Sequence, residues 1–339
     1  MTKRRLTRQQ AWRIEKIQAE RARRAQRREA AAGEDGGLGP ETEGVVIAHY
    51  GSQLEVEAAD DPGRTLRCHL RANLEGLVTG DRVVFRPGEP TGVVVAQLPR
   101  RSLLSRPDAR GMPRPVAANI DQVAIVIAPE PAPHANLIDR YLVATEAMGA
   151  DALLVVNKAD LLTYTDNGGT AAAAMAALLN PYRALGYPVI EASRDTATAT
   201  LGAALAGHTS VLVGQSGVGK TSLVNALLPG LDRRTGELSG PGRKGRHTTT
   251  TAELHHLVTG GDLIDSPGIR EFGLDHLPRE AVAAGFREFR PFLGHCRFRD
   301  CRHRDEPGCA LLEAVAAGKV SAERLASYRH IVEDGQDPA

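Results

Sequence analysis

The order of two short motifs constrains this chain more than any other feature. Asn157-Lys158-Ala159-Asp160 has the N-K-x-D form that reads guanine, and it precedes Gly214-Gln215-Ser216-Gly217-Val218-Gly219-Lys220-Thr221, which fits the phosphate-binding form G-x-x-x-x-G-K-[ST]. Along the chain this is the reverse of the usual order in a GTP-binding α/β domain. If both motifs serve one nucleotide, the sheet must be cut open at a different connection and its strands visited in a rotated order.

The local setting supports both motifs. The glycine loop follows an apolar run at 210–213 and leads into the helical Leu223-Val224-Asn225-Ala226-Leu227-Leu228. Its glycines let successive N–H groups turn toward phosphate oxygens. Lys220 is placed for the terminal phosphates and the Thr221 hydroxyl for Mg²⁺. The tetrapeptide closes a second buried run, 152–156, at the end of a strand where open α/β sheets bind ligands. A carboxylate at Asp160 accepts the N1–H and 2-amino hydrogens of guanine; adenine leaves it unpaired, a mismatch of the kind that gives roughly 10⁴- to 10⁵-fold rejection. Lys158 is expected against the base plane and Asn157 as a brace between loops. Ser193, in Glu191-Ala192-Ser193, is expected to offer a backbone contact to the base oxygen.

Asp265-Ser266-Pro267-Gly268 follows Leu263-Ile264. There Asp265 is expected to hold Mg²⁺ through water and the Gly268 N–H to sense the γ-phosphate. Between the two phosphate motifs, residues 233–251 are rich in glycine and arginine and end in His247-Thr248-Thr249-Thr250-Thr251. A first switch needs a threonine hydroxyl for Mg²⁺, and Thr249 is the candidate. Ile269 stands where Ras-like enzymes carry the glutamine that orients water. An aliphatic side chain cannot do so, which makes His247 the candidate catalytic group, with a solvated loop histidine as the alternative.

Cys296-x4-Cys301-x-His303-x5-Cys309 supplies three thiolates and an imidazole, the ligand set of a closed structural Zn²⁺ site. His295 is the alternative nitrogen ligand. The surrounding arginines are too polar to bury free cysteines and suit phosphate backbones. Cys68 stands apart, inside a strand, and is expected to be a small core residue.

The rest of the chain sorts around these motifs. Residues 1–30 hold eleven Lys or Arg against Glu15, Glu20 and Glu29, so a basic arm, 1–42, precedes a body that leaves the whole chain at a net charge of only +1. Such an arm is either RNA-seeking or a solvated tail. Short β-type runs at 45–49, 54–58, 65–70, 82–86 and 92–96 predict an OB-type barrel over 43–98. A connector, 99–118, leads to alternating strands and helices over 119–273, and a helical zinc-binding region occupies 274–339. The fold class expected is therefore multidomain: a small OB-type β-barrel, a circularly permuted α/β GTPase domain with a doubly wound, mostly parallel sheet, and a C-terminal helical zinc-binding domain. No run approaches the roughly 20 apolar residues that cross a bilayer, and the charged N-terminus is unlike a signal peptide, so the expected location is cytoplasmic.

Taken together, the permuted motif order, the His-Thr-Thr-Thr segment, Asp-Ser-Pro-Gly, the Cys-x4-Cys-x-His-x5-Cys spacing and the barrel resemble the circularly permuted, small-ribosomal-subunit-dependent GTPases of bacteria, the RsgA family. The resemblance covers residues 43–333 and carries over Asn157 to Asp160, Gly214 to Ser222, Cys296, Cys301, His303 and Cys309. It implies a monomeric cytoplasmic GTPase that binds the small ribosomal subunit and its rRNA late in assembly, is stimulated by it, uses Mg²⁺ with GTP and carries one structural Zn²⁺. The family also shares an aliphatic residue at the position of Ile269 and a histidine like His247. A GTP-responsive RNA-binding module with incidental hydrolysis is the competing reading. The permutation further predicts that barrel and zinc domain both join the GTPase domain beside the second switch.

Overall fold

In a computed structural model of the chain, the described residues are 38–334 without 52, 72–73, 75, 108–111, 163–167, 194, 230–251, 266–273 and 275–276. The expected arm lies outside them up to residue 37.

Strands β1 (Thr42–Tyr50), β2 (Gln53–Ala58), β3 (Thr65–Leu70), β4 (Arg82–Arg86) and β5 (Gly92–Gln97) close into a barrel in the order β1-β2-β3-β5-β4-β1, with β3 and β5 parallel. The alternation that predicted these strands buries one face: Leu54, Val56, Cys68, Val83, Phe85 and Val94 are each 0% exposed. Burial pushes the Cys68 thiol up to about 12, so it is an inert core residue as expected. The connector carries a hairpin of β6 (Leu103–Pro107) and β7 (Pro113–Ala118) that the sequence does not announce.

The α/β domain follows as β8 (Gln122–Ile127), α1 (Ala135–Met148), β9 (Asp151–Val156), α2 (Gly168–Ala184), β10 (Val189–Glu191), α3 (Ala197–Leu205), β11 (Thr209–Val213), α4 (Lys220–Leu227), β12 (Glu253–His256) and β13 (Asp262–Asp265). Their sheet order is β10-β9-β8-β11-β13-β12, parallel except for β12. Val123, Ile125 and Ile127 of β8 face Ile138, Leu142, Leu179 and Tyr182, whereas Ala124 and Val126 face Leu201, Leu205, Leu223 and Leu227. β8 is thus covered on both sides, and each of its large side chains contributes ~1.5–3 kcal/mol of burial.

The barrel is not merely strung on the chain. β1 pairs with β12 at Ala48 and Glu253, joining barrel and sheet into eleven continuous strands. The buried Thr79 hydroxyl donates to the Ala252 carbonyl at 2.8 Å, and Asn119 Nδ2 donates to Gly80 O at 2.8 Å. At Gly80 (φ +86) a Cβ would lie 2.2 Å from Ala118 O, so only glycine permits this contact. On β12, His256 is held between Glu57 Oε1 of the barrel at 2.9 Å and Asp262 Oδ1 of β13 at 2.7 Å. Partial burial opposes its charge, but the two carboxylates win and the His256 pKa is raised.

The C-terminal helices α5 (Arg279–Ala284), α6 (Ala310–Ala316) and α7 (Ala322–Asp334) pack around Phe286, Phe289 and Tyr328, with Val143 and Ala144 of α1 completing the cluster. The two phenylalanine rings stack at 4.6 Å. Arg324 of α7 reaches α1, bonding Asp139, while its Nε donates to Glu288 Oε1 at 2.6 Å. A second contact joins Glu146 of α1 to Arg287 and Arg290, each at 2.6 Å.

One expectation about the junctions is corrected. The chain enters β8 from the barrel at Gln122, which pairs with Ser210 near the start of β11, level with Leu263 and not with Asp265. That is roughly 7 Å down the sheet from the phosphate end, at ~3.3 Å per residue. The barrel reaches the nucleotide end by lateral packing on β12, not through its covalent connection.

Candidate nucleotide site and metal centre

The glycine loop and the tetrapeptide meet at the C-terminal ends of β11 and β9, the two strands that flank β8. β11 delivers the chain to Gly214 (φ +141), where a Cβ would lie 2.1 Å from Val126 O, so the loop starts pressed against β8. β9 delivers Asn157, only 4% exposed, whose Nδ2 donates to Val218 O at 2.8 Å. This is the brace expected of it. Gly219 (φ +91) leaves room for that amide, since a Cβ there would lie 2.4 Å from Asn157 Nδ2. Lys220 Nζ donates to the carbonyls of Gly214 at 2.5 Å and Gln215 at 2.8 Å, holding the ammonium over the loop. Ser216, Thr221 and Ser222 are exposed.

Beside the loop, Lys158 takes a left-handed conformation (φ +56) and its Nζ donates to Glu130 O at 2.7 Å. Ala159 N donates to Ala192 O at 3.1 Å, tying the tetrapeptide to the end of β10, and Asp160 lies exposed in a 3₁₀ turn, Ala159–Leu162. Ser193 lies next to this turn, with its N–H donating to Thr196 Oγ1 at 2.9 Å. Asp265 ends β13 on the same edge of the sheet. The sequence did not signal the segment after β8: Glu130 supports Lys158, and Pro131 Cδ would be 3.5 Å from a Cβ at Gly217. His247, Thr249, Gly268 and Ile269 lie outside the described residues.

The second constellation is Cys296, Cys301, His303 and Cys309, whose ligand atoms all lie within 4.8 Å of one another; His295 is not among them. His303 Nδ1 is 3.6 Å from the Sγ of Cys296, 3.6 Å from that of Cys301 and 3.3 Å from that of Cys309, and Cys296 and Cys309 are 4.0 Å apart. A tetrahedral ion with metal–S of ~2.3 Å and metal–N of ~2.0–2.1 Å has S···N edges of roughly 3.6 Å and S···S edges of roughly 3.8 Å. The four donors therefore already span a coordination tetrahedron. Burial and the adjacent Cys309 and Cys296 thiols push the Cys301 thiol up to about 12, a cost that a bound cation would offset by favouring its thiolate. His303 is oriented by its left-handed backbone (φ +57) and by Arg329, whose Nε and guanidinium nitrogen donate to His303 O at 2.9 and 2.6 Å. The Glu306 carboxylate accepts the N–H groups of Arg302 and Arg304 at 2.7 and 2.8 Å; slight burial raises its pKa, but these bonds hold it down to about 2.

An N-K-x-D loop braced on a G-x-x-x-x-G-K-[ST] loop that follows it in sequence, in an α/β sheet joined to an OB-type barrel and accompanied by a Cys3His cluster, has the architecture of a circularly permuted P-loop GTPase. The model of the RsgA GTPase family matches residues 97–275. Over 338 residues, 98% of each chain, the sequence is 62% identical to the Pseudomonas aeruginosa (strain PAO1) protein named small ribosomal subunit biogenesis GTPase RsgA. It is 60% identical to the Azotobacter vinelandii protein of the same name, covering 100% of this chain and 99% of that one. Among solved structures, YjeQ from Thermotoga maritima superposes with a TM-score of 0.69 at 30% identity, covering 88% of this chain and 100% of that one. YloQ, described as a circularly permuted GTPase, gives 0.68 at 27% identity, covering 88% and 97%. The chain belongs to the RsgA GTPase family and is a GTP hydrolase.

Proposed function

We propose that this GTPase binds the small ribosomal subunit late in its maturation, contacts its rRNA, and is released when subunit-stimulated hydrolysis discharges GTP. The observation that carries the nucleotide half is the 2.8 Å bond from Asn157 to Val218 O, which locks the base loop to the phosphate loop. The subunit half rests on the name borne by relatives that align over nearly their full length.

In this reading the guanine edge faces Asp160, the Lys158 stem lies along the base plane, and the base oxygen takes the Ser193 N–H in exchange for Thr196. The phosphates lie over the N–H groups of Gly214, Gln215, Ser216, Gly217, Val218, Gly219, Lys220, Thr221 and Ser222, with the Lys220 ammonium turning from the loop carbonyls to the terminal oxygens. Thr221, with Asp265 acting through water, would hold Mg²⁺, which would neutralise charge developing on the phosphates; Thr249 would add a hydroxyl from the first switch, while the Gly268 N–H would sense the γ-phosphate from the second. His247 orients the attacking water in place of the glutamine that Ile269 replaces. The Cys296, Cys301, His303 and Cys309 site takes one Zn²⁺, closed by four protein ligands and therefore structural. The working form in this reading is a cytoplasmic monomer; no helix among the described residues is long and apolar enough to cross a membrane.

GTP turnover measured with and without purified small subunits tests the proposal. Stimulation that saturates with subunit concentration is expected. Turnover unchanged by subunits would leave the competing reading, an RNA-binding module whose hydrolysis is incidental.

A further inference from the structure

The loop between Cys296 and Cys301 presents an aromatic ring where the core has no use for one. Phe298 is 43% exposed, one of few large apolar side chains on the described surface. Its backbone is held on both sides: Arg297 N donates to Gly308 O at 2.9 Å, and Cys301 N donates to Phe298 O at 3.4 Å. Gly308 (φ +74) is packed by Arg297, whose Cβ would lie 3.0 Å from an added Cβ. The loop is thus fixed by its metal ligands and by a cross-strap, and the ring is presented rather than left to collapse.

The neighbouring charges define what the ring meets. The Arg297 guanidinium carbon lies 5.5 Å from the ring centroid of Phe298. Arg297, Arg299 and Arg302 are exposed, and no ion pair involves them among the described residues, whereas Arg304 pairs with Glu333 at 2.8 Å. Asp300 and Asp305 are the nearby exposed carboxylates, and Glu306 is engaged by backbone N–H groups. Three unpaired guanidinium groups around one rigid, half-exposed aromatic face match a strand that carries both phosphates and unstacked bases; a duplex hides its base faces.

Resting on the ribosomal reading above, we infer that Phe298 is a stacking platform for an unpaired RNA base, with Arg297, Arg299 and Arg302 holding the flanking phosphates. The full-length protein is titrated into a fluorescently labelled, unstructured single-stranded RNA, into the same RNA as a duplex, and into purified small subunits. Base stacking of ~1–3 kcal/mol corresponds to a roughly 5- to 150-fold loss of single-strand affinity in Phe298→Ala, recovered in Phe298→Trp. Arg299→Ala should instead flatten the salt dependence, lowering the slope of log affinity against log salt by about 0.7. Metal content of each variant, measured in parallel, must stay at the wild-type value, which separates a lost platform from a lost fold.

Single-strand affinity unchanged in Phe298→Ala overturns the inference. So does an equal loss on single strand and duplex, or a loss on small subunits alone, which would place the ring on a ribosomal protein. Wild-type protein failing to bind small subunits at all would instead remove the ribosomal reading, whatever the free RNA shows.

Discussion

Replacing Arg324 by methionine tests how firmly the C-terminal domain is fastened to the GTPase domain. The Arg324 side chain is 8% exposed and Asp139 only 1%, so removing the guanidinium leaves a buried carboxylate with only neutral hydroxyls beside it, Tyr182 Oη at 2.7 Å and Ser327. Glu288, 10% exposed, loses its partner at the same time. Breaking a buried pair in this way costs ~3–5 kcal/mol, and methionine also gives up the guanidinium that lies 4.5 Å from the Phe286 ring centroid. The cost depends on pH in a definite direction. Burial already outweighs Arg324 and holds the Asp139 carboxyl above its usual range. A raised carboxyl contributes stability below its unfolded pKa and loses it as pH rises through the folded value, and the variant raises that value further. The deficit should therefore be largest at alkaline pH, where the carboxylate is ionised, and shrink as pH falls below the raised Asp139 value. Hydrogen exchange of the α7 amides, residues 322–334, reads the local opening free energy directly. Asp139→Asn in the Arg324→Met background should recover much of the loss at neutral pH. A deficit below ~1 kcal/mol, or one independent of pH, would show that the pair does not hold α7 on α1.

Gly219→Ala places a methyl 2.4 Å from Asn157 Nδ2 at a positive φ, so nucleotide affinity should fall at least tenfold, as measured by fluorescent GDP titration. His247→Ala should lower subunit-stimulated turnover by roughly 10²- to 10⁴-fold while leaving GTP affinity nearly intact; unchanged stimulated turnover removes His247 from the chemistry. Metal analysis should find one zinc per chain. Its removal by a chelator should melt the 296–309 region, read by hydrogen exchange, while GDP affinity persists, because the nucleotide loops belong to other packing clusters.

The elements legible in the sequence are those whose signal is local. The barrel strands were set by alternation and turn residues, β8 and β9 by unbroken apolar runs, and the metal cluster by ligand spacing within fourteen residues. The hairpin of β6 and β7 was hidden because Pro107, Pro113 and Pro115 interrupt any strand pattern, and it forms a separate two-stranded ribbon anchored by Leu104 and Ala117 in the core. β12 was hidden because four residues, two of them histidines, carry no periodicity. What holds the domains together was least legible of all. The Thr79 hydroxyl and Ala252 O are 173 residues apart, and Asp139 and Arg324 are 185 apart. Each reads as an ordinary polar residue until the fold brings its partner. The same limit explains the misplaced junction: motif order shows where the chain is cut, but not which end of the sheet the new terminus occupies.

The central claim is that the tetrapeptide and the glycine loop, reversed in sequence, form one guanine-specific site, and Asp160→Asn tests it most directly. Titrating wild type and variant with fluorescent GDP and XDP under the same conditions compares the two pairings, because xanthine replaces the guanine 2-amino donor by an acceptor oxygen that an asparagine amide can satisfy. The account predicts that the variant loses roughly 10²-fold or more in GDP affinity and gains affinity for XDP. GDP binding unchanged in the variant, with XDP still rejected, would contradict it.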